Sequence, residues 1–189
     1  GEVTLEQDQL NFQTPLSQFR DGATDKEWIR ANPQNVNLGD YLATDSFTIT
    51  NSGEGDLTLQ EIRLPDVDGL SQETPFEGDE ILAPEESQTY TFSFNPIEAD
   101  INLEGEQITL ITDDPEQGDI NISLFGRSTH QADVSYEGNV NLNDLGRLAS
   151  IFGSGEGDNH YDPSADINFD GQVDTTDVEI LSAELGSLI

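Results

Sequence analysis

The chain has 189 residues, and its 39 acidic side chains against 6 Lys and Arg give a formal net charge of −33 at pH 7. A chain this negative repels nucleic acid and anionic membrane surfaces, so neither is expected as a partner, whereas divalent cations are attracted; the same acidity also serves as an adaptation to high salt. Cysteine is absent, which excludes disulfides, zinc-thiolate sites and a cysteine nucleophile.

The first part of the chain, from about residue 5 to residue 124, alternates apolar and polar residues with period two. Alternation of this kind places one face of a strand in a core and the other in water. Six or seven short strands, separated by turns rich in Gly, Pro, Asn and Asp, predict a mainly β fold with an antiparallel β-sandwich. Leu10 and Phe12 are candidates for the first strand.

Residues 14–37 interrupt this pattern and contain the single tryptophan, Trp28. They predict an inserted loop or a short helix of unassigned role. The polar residues 127–131 indicate a linker, so we expect one domain at 1–127 and a second at 128–189. No apolar run approaches the roughly 20 residues of a membrane span, so membrane insertion is not expected.

Helical periodicity follows in two places. Leu145, Leu148, Ala149 and Phe152 predict one apolar stripe, and Val178, Leu181 and Leu185 predict another. The two segments are copies, because a shift of 33 positions superposes Asp133 on Asp166, Gly138 on Gly171, Val140 on Val173, Asp144 on Asp177, Leu148 on Leu181 and Gly153 on Gly186. An ordinary acidic surface would not preserve one register through a loop, a helix and a terminating glycine.

Each copy begins with a candidate calcium loop. An EF-hand loop needs oxygen ligands at positions 1, 3, 5, 7, 9 and 12 and a glycine at position 6. The second copy has Gly171 at position 6 and a shorter Asp at position 12 where the usual pattern has Glu. Its predicted ligands are Asp166, Asn168, Asp170, the Gln172 carbonyl, Asp174 and Asp177.

The first copy departs further from the pattern. Its predicted ligands are Asp133, Ser135, Glu137, the Asn139 carbonyl, Asn141 and Asp144, with Gly138 at position 6. Ser135 brings a neutral ligand or a water to position 3, so we expect this loop to bind calcium more weakly than the second.

No helical pattern precedes either loop, so each copy is a loop with one exiting helix. In this the region from Asp133 to about Gly186 resembles a type I dockerin domain. The resemblance implies two calcium ions, a pair of roughly antiparallel helices with pseudo-twofold symmetry, and docking of a secreted or cell-surface protein onto a cohesin-like domain. In that family, loop positions 10 and 11 help to choose the cohesin. The corresponding partner-binding candidates, with two helix residues, are Leu142, Asn143, Arg147, Thr175, Thr176 and Glu179.

The N-terminal part resembles the immunoglobulin-like domains of the ASPM/SPD-2/Hydin (ASH) and choice-of-anchor-D kind. Four stretches carry this resemblance: residues 10–12, 42–59, 81–96 and 111–126. Such domains are binding or spacer modules. The fold class expected for the whole chain is therefore an immunoglobulin-like sandwich followed by a dockerin-like pair of calcium loop–helix motifs.

Catalysis has little support, since His130 and His160 lie in a linker and a loop, away from any nucleophile motif. Exposed aromatics could form a sugar platform, but core or capping roles are more typical of Trp28, Tyr41, Tyr136 and Tyr161. Two functions remain. One is a non-catalytic, extracellular docking module that binds a cohesin-like domain. The other is a structural part of a calcium-stabilised layer, matrix or fibre built by self-association. A fragment of an enzyme is a third class.

Overall fold

The computed structural model describes residues 1–18 and 22–187, so three residues of the expected insert and the last two of the chain lie outside it. Its contacts divide the chain into two compact units. The sandwich unit comprises residues 1–12, 43–94 and 102–126, and the loop–helix unit comprises residues 13–42, 95–101 and 127–189. By contacts, the insert therefore groups with the C-terminal residues. The expected domain limits, 1–127 and 128–189, stay a prediction.

The sandwich unit contains a four-stranded and a five-stranded sheet. The strand order in the first is β1 (Val3–Leu5), β4 (Ala43–Asn51), β8 (Ser87–Phe94) and β6 (Leu70–Gln72). The order in the second is β2 (Gln9–Asn11), β10 (Asp119–Phe125), β9 (Gln107–Thr112), β5 (Leu57–Arg63) and β7 (Glu80–Leu82).

The predicted alternation defines the sandwich core. The inward residues of both sheets are buried, among them Phe12, Phe47, Ile49, Leu57, Leu59, Tyr90, Phe92, Phe94, Ile108, Leu110, Ile122 and Leu124. The strand count was too low, because four of the strands have only three residues, too few to show a period. The expectation of a wholly antiparallel sandwich was also wrong at one edge, where β2 pairs with β10 in parallel.

The loop–helix unit contains a strand pair that the sequence did not reveal. β3 (Trp28–Arg30) runs parallel to β11 (Arg127–Thr129). The insert is thus neither a plain loop nor a helix, although short 3-10 turns occur at Leu16–Gln18 and Gly39–Tyr41. The residues interpreted as a linker instead form β11, whose Ser128 and Thr129 are buried.

Two helices complete this unit, α1 (Leu142–Ser150) and α2 (Thr175–Ser187). Their core is small and aliphatic: Ala132, Val134, Val140, Leu148, Ala165, Ile167, Val173 and Leu181. The predicted stripe of α1 was wrong beyond Leu148, because Ala149 is exposed and Phe152 lies past the helix end with 49% of its surface exposed. Among the described residues, no helix has the length and apolarity needed to cross a membrane.

Candidate metal centre

The two loops, residues 133–144 and 166–177, carry the same hydrogen bonds in the same register. In each loop the carboxylate at position 1 accepts the backbone N–H groups of positions 5 and 6. The carboxylate at position 12 accepts those of positions 3 and 9, and the side chain at position 9 accepts that of position 11. At position 1, the two N···O distances are 3.0 and 2.7 Å for Asp133 and 3.1 and 2.8 Å for Asp166. At position 12, they are 2.9 and 2.7 Å for Asp144 and 3.4 and 2.8 Å for Asp177. At position 9, the single distance is 2.7 Å for both Asn141 and Asp174.

The backbone repeats as well. Position 4 is left-handed in both loops, with φ of 56° at Tyr136 and 57° at Phe169. Position 6 is left-handed too, with φ of 87° at Gly138 and 90° at Gly171. Glycine adopts this conformation without a steric penalty, whereas an aromatic residue needs surrounding contacts to hold it there. The internal repeat predicted from the sequence therefore extends to the backbone of the loops.

Positions 9 and 12 also begin the helices. Asn141 is the N-cap of α1, and the Asp144 carboxylate accepts the Asn141 N–H in a capping box. Asp177 accepts the Asp174 N–H in the same way at the start of α2. A carboxylate in the first turn is stabilised by the free N–H groups and the dipole of the helix. The same side chains thus close the loop and nucleate the helix.

The carboxylates at positions 1 and 12 are buried in both loops: Asp133, Asp144, Asp166 and Asp177. Burial raises the pKa of Asp177, and the charge of Asp166 raises it further, although three backbone N–H groups act to lower it. Since burial outweighs these hydrogen bonds, the ionised form of the Asp177 carboxyl is disfavoured at this site. Within the described residues, no salt bridge supplies a positive charge to Asp166 or Asp177.

Hydroxyl groups from outside the loops orient the position-1 carboxylates. Thr129 Oγ1, on β11, donates to Asp133 Oδ2 at 2.8 Å. The Tyr161 hydroxyl donates to Asp166 Oδ2 at 2.7 Å. Such outer hydrogen bonds hold a ligand in one orientation, which is their usual part in metal sites. The sequence pattern did not identify these donors, because neither belongs to a loop.

Two further pairs of predicted ligands are hydrogen-bonded to each other. Asn141 Nδ2 donates to Asn139 Oδ1 at 2.7 Å, and Asn168 Nδ2 donates to Asp170 Oδ2 at 2.8 Å. Across residues 1–18 and 22–187, no three His, Asp or Glu side chains form a metal-sized group. The residues nevertheless fit a calcium ion, because positions 1, 3, 5, 9 and 12 all offer oxygen and, among the described residues, no salt bridge reaches the buried carboxylates.

The predicted partner contacts lie mainly on open surface. Leu142 is 73% exposed. Four more candidates are also exposed: Asn143, Thr175, Thr176 and Glu179. Arg147 differs, because its guanidinium is half-buried and donates to Asp162 Oδ2 at 2.7 Å. Its contact with a partner, like that of the other five, stays a prediction.

Sequence reasoning missed the insert as a neighbour of the loops. Arg30 and Trp28 from this segment, together with Tyr41 just after it, contact Tyr136, Gly138 and Phe169 of the two loops. Burial raises the pKa of Tyr41 to about 12. The available signal was a group of aromatic residues in an otherwise polar stretch, for which a capping role was expected. The residues that they contact could not be predicted from the sequence, since these lie about a hundred residues further along the chain.

A family model described as the Dockerin type I domain matches residues 131–186. The predicted resemblance of this region is thereby confirmed, and residues 131–186 are similar to a type I dockerin domain. The match covers less than a third of the 189 residues. No curated protein matches the chain.

Solved structures resemble the chain at low identity. A protein of unknown function from Porphyromonas gingivalis is 15% identical with a TM-score of 0.44, and the match covers 69% of this chain and 49% of that one. The ASH / PapD-like domain of human CEP192 is 11% identical with a TM-score of 0.35, over 68% of this chain and 85% of that one. SSP-19, an MSP-domain protein like family member in Caenorhabditis elegans, is 9% identical with a TM-score of 0.35, over 46% and 87%. The ASH kinship of the N-terminal part stays a prediction.

Proposed function

We propose that this chain is a non-catalytic, extracellular docking module whose two calcium loops organise a surface for a cohesin-like domain. The single observation that carries the proposal is the repeated loop, with one hydrogen-bond network and one buried acid pair in each copy. The match of residues 131–186 to the dockerin family model supports it. Secretion or display at the cell surface follows from the same family.

Calcium is the proposed ligand of both loops, with one ion in each. Bound calcium would supply direct positive charge to the buried pairs Asp133/Asp144 and Asp166/Asp177, which no salt bridge reaches among the described residues. The chain itself contributes the oxygen ligands and the hydroxyls of Thr129 and Tyr161 that orient position 1. The capping box of α1 and the Asp174–Asp177 hydrogen bond of α2 join each loop to its helix. The first loop should be the weaker, because it offers three carboxylates where the second offers four: position 9 is Asn141 in the first loop and Asp174 in the second.

The proposed docking surface lies at the start of the two helices. Leu142 is its centre, since a largely exposed leucine gains free energy when a partner covers it. Thr175 is the counterpart of Leu142 in the second copy, and Thr176 is the counterpart of Asn143; all four are exposed. The copies differ in side chain, so we do not expect the two ends to be interchangeable.

The docking test is complex formation with a panel of cohesin domains in calcium, measured by light scattering coupled to size exclusion. The wild-type chain should form a one-to-one complex that chelator dissolves. Leu142→Asp should weaken the complex by about a hundredfold and leave calcium binding intact, because the side chain is exposed. Phe152→Asp is the matched control, an exposed apolar residue outside loop positions 10 and 11. Equal loss in both variants would contradict the assignment.

Self-association is the alternative. The observation in its favour is the edge strand β7, where Ile81 is 63% exposed and offers an apolar contact to a like module. The same experiment separates the two functions. Calcium-dependent oligomers of the chain alone, dispersed by Ile81→Lys and with no cohesin complex, would replace the docking function by this one.

A further inference from the structure

The insert contributes a strand directly beside the first calcium loop. β3 pairs with β11 in the register Trp28 with Arg127, Ile29 with Ser128 and Arg30 with Thr129. β11 ends at Thr129, four residues before the first loop begins at Asp133, and the Thr129 hydroxyl donates a hydrogen bond to the Asp133 carboxylate. The segment is therefore attached to the point where the first loop starts.

Arg30 joins equivalent positions of the two loops. Its guanidinium carbon lies 5.2 Å from the ring centroid of Tyr136 and 5.2 Å from that of Phe169, the position-4 residues of the first and second loops. Nη1 donates to the Ser164 carbonyl, two residues before the second loop, at 2.7 Å. The side chain is only 6% exposed. One buried cation thus contacts both copies of the repeat.

The second terminal nitrogen of the Arg30 guanidinium, Nη2, indicates that contact with the aromatic rings is the main interaction of this group. Nη2 is buried and has no hydrogen-bond partner among the described residues. A buried donor without a partner is costly unless another interaction compensates for it. Two aromatic faces offer that compensation, because a flat guanidinium can lie over a ring while a lysine ammonium is a compact point charge.

Trp28 holds the first loop at its sharpest turn. A Cβ placed on Gly138 would lie 2.6 Å from Cζ2 of Trp28, so the indole rests directly on the glycine. The equivalent Gly171 has no such neighbour, since its nearest contact is Glu156 at 3.7 Å. The only tryptophan of the chain is therefore a specific reporter of the first loop.

We propose that Arg30 is a positioning residue that fixes the position-4 turns of both loops to each other and thereby sets the calcium affinity of both. The calcium part of this inference rests on the proposed function. Position 4 lies between two ligand positions, 3 and 5, so a turn that moves takes both ligands with it. The left-handed backbone at Tyr136 and Phe169 persists because Arg30 contacts both rings.

If Arg30 acted only through its charge, its replacement would change the calcium affinity in the opposite direction. A cation beside an acidic loop repels calcium, so its removal would tighten binding. A positioning role predicts weaker binding when the guanidinium is lost, even where the charge is kept. The variants Arg30→Met and Arg30→Lys separate these effects, because the first removes the charge and the second retains it.

The test uses the full chain in four forms: wild type, Arg30→Met, Arg30→Lys and the control Arg63→Met. Arg63 is an exposed arginine of β5 in the sandwich unit, so its replacement makes the same change in net charge far from the loops in sequence. Calorimetry follows both calcium ions, and Trp28 fluorescence follows the first loop. Arg30→Met should weaken both loops by about tenfold or more, as loss of an orienting contact commonly does. Arg30→Lys should weaken both by a smaller factor, and the control should match wild type.

Tighter or unchanged binding in Arg30→Met would overturn the inference, as would wild-type affinity in Arg30→Lys. If Arg30→Met does not fold, Arg30→Lys decides the question. If the wild-type chain takes up no calcium, the proposed function fails, and hydrogen exchange decides the inference instead. Faster exchange of the Gly138 and Gly171 amides in Arg30→Lys would then support it, and unchanged exchange of either amide would refute it.

Discussion

Both units of the chain bury aspartate side chains, but they stabilise them differently. In the sandwich unit, Asp114 is buried and accepts N–H groups from Val3 at 2.9 Å, Glu116 at 2.8 Å and Gln117 at 3.2 Å. These backbone hydrogen bonds, that of Glu116 foremost, lower its pKa against the opposing effect of burial. An isolated carboxylate can therefore be buried as an anion when enough N–H groups point at it.

In the loop–helix unit, Asp177 also accepts three N–H groups, yet its pKa is raised. Burial is the main cause, and Asp166 adds a second negative charge nearby. Three N–H donors therefore keep the pKa of Asp114 low, whereas at Asp177 burial and the neighbouring Asp166 outweigh them. From the proposed function we expect a bound cation to stabilise the loops, whereas the sandwich should need none.

The hydrophobic cores of the two units also differ, in the size of their side chains. The sandwich buries large aromatic side chains, including Phe12, Phe47, Tyr90, Phe92 and Phe94. The core of the two helices consists of alanine, valine, leucine and isoleucine. Because apolar burial scales with area, the smaller side chains supply less of the folding free energy. Metal binding should make up the difference in the loop–helix unit only.

The largest effect is expected from Asp177→Asn. Loss of this buried position-12 ligand should reduce calcium uptake from two ions to one and lower the helix signal. Calorimetry and circular dichroism would measure both. Glu179→Gln is the control, since it makes the same charge change at an exposed site on α2. Uptake of two ions with wild-type affinity in Asp177→Asn would contradict the assignment of Asp177 as a calcium ligand.

Asp114→Asn should destabilise the sandwich by about 1–3 kcal/mol, because the amide presents an N–H group where a backbone N–H now donates. Urea unfolding of the sandwich transition measures the change, which should be equal in calcium and in chelator. Asp119→Asn, at an exposed position of β10, should stay within about 0.5 kcal/mol of wild type. A calcium-dependent effect of Asp114→Asn would show that the sandwich also relies on the metal.

Ser135→Asp should reduce the difference between the loops. A carboxylate at position 3 gives the first loop a fourth acidic ligand, the number that the second loop has, and we expect its calcium affinity to rise about tenfold, or about 1.4 kcal/mol. Trp28 fluorescence follows this loop specifically. Ser182→Asp, at an exposed position of α2, is the control outside the loops. An unchanged or lower affinity in Ser135→Asp would mean that position 3 is not a ligand.

The smallest effect concerns pH in the absence of calcium. The lowered pKa of Asp114 means that the unfolded chain binds the proton first, so sandwich stability is lost as pH falls below about 3.8. The raised pKa of Asp177 means that the folded loop binds the proton first, so its stability should increase as pH falls towards 3.8 from above. Helix signal in chelator should therefore rise on mild acidification. A fall over that range would contradict the assigned direction.

The sequence predicted those parts of the fold whose pattern is local and repeated. The long strands, the two loops and the start of each helix follow from period two, from the ligand spacing and from the 33-residue shift. The end of α1 was misjudged because the backbone leaves the helical conformation at Ile151, with φ of −124° and ψ of 11°, one residue before Phe152.

The pairing of β3 with β11 was beyond the reach of local pattern. Three residues are too short for a visible period, and their partners lie about a hundred positions away. Arg30 was equally hidden, since its role depends on two rings that are 33 positions apart in sequence and converge only in the fold. For the metal loops, spacing identified the candidate ligands but not the outer donors Thr129 and Tyr161.

The most direct test of the central claim is differential scanning calorimetry of the full chain, first with calcium and then in excess chelator. We expect a calcium-dependent transition that carries the helix signal and disappears on chelation, together with a second transition that chelation does not shift. Readdition of calcium to two ions per chain should restore the first. A single transition at the same temperature in both conditions would contradict the account, because the buried acid pairs would then be stable without a cation.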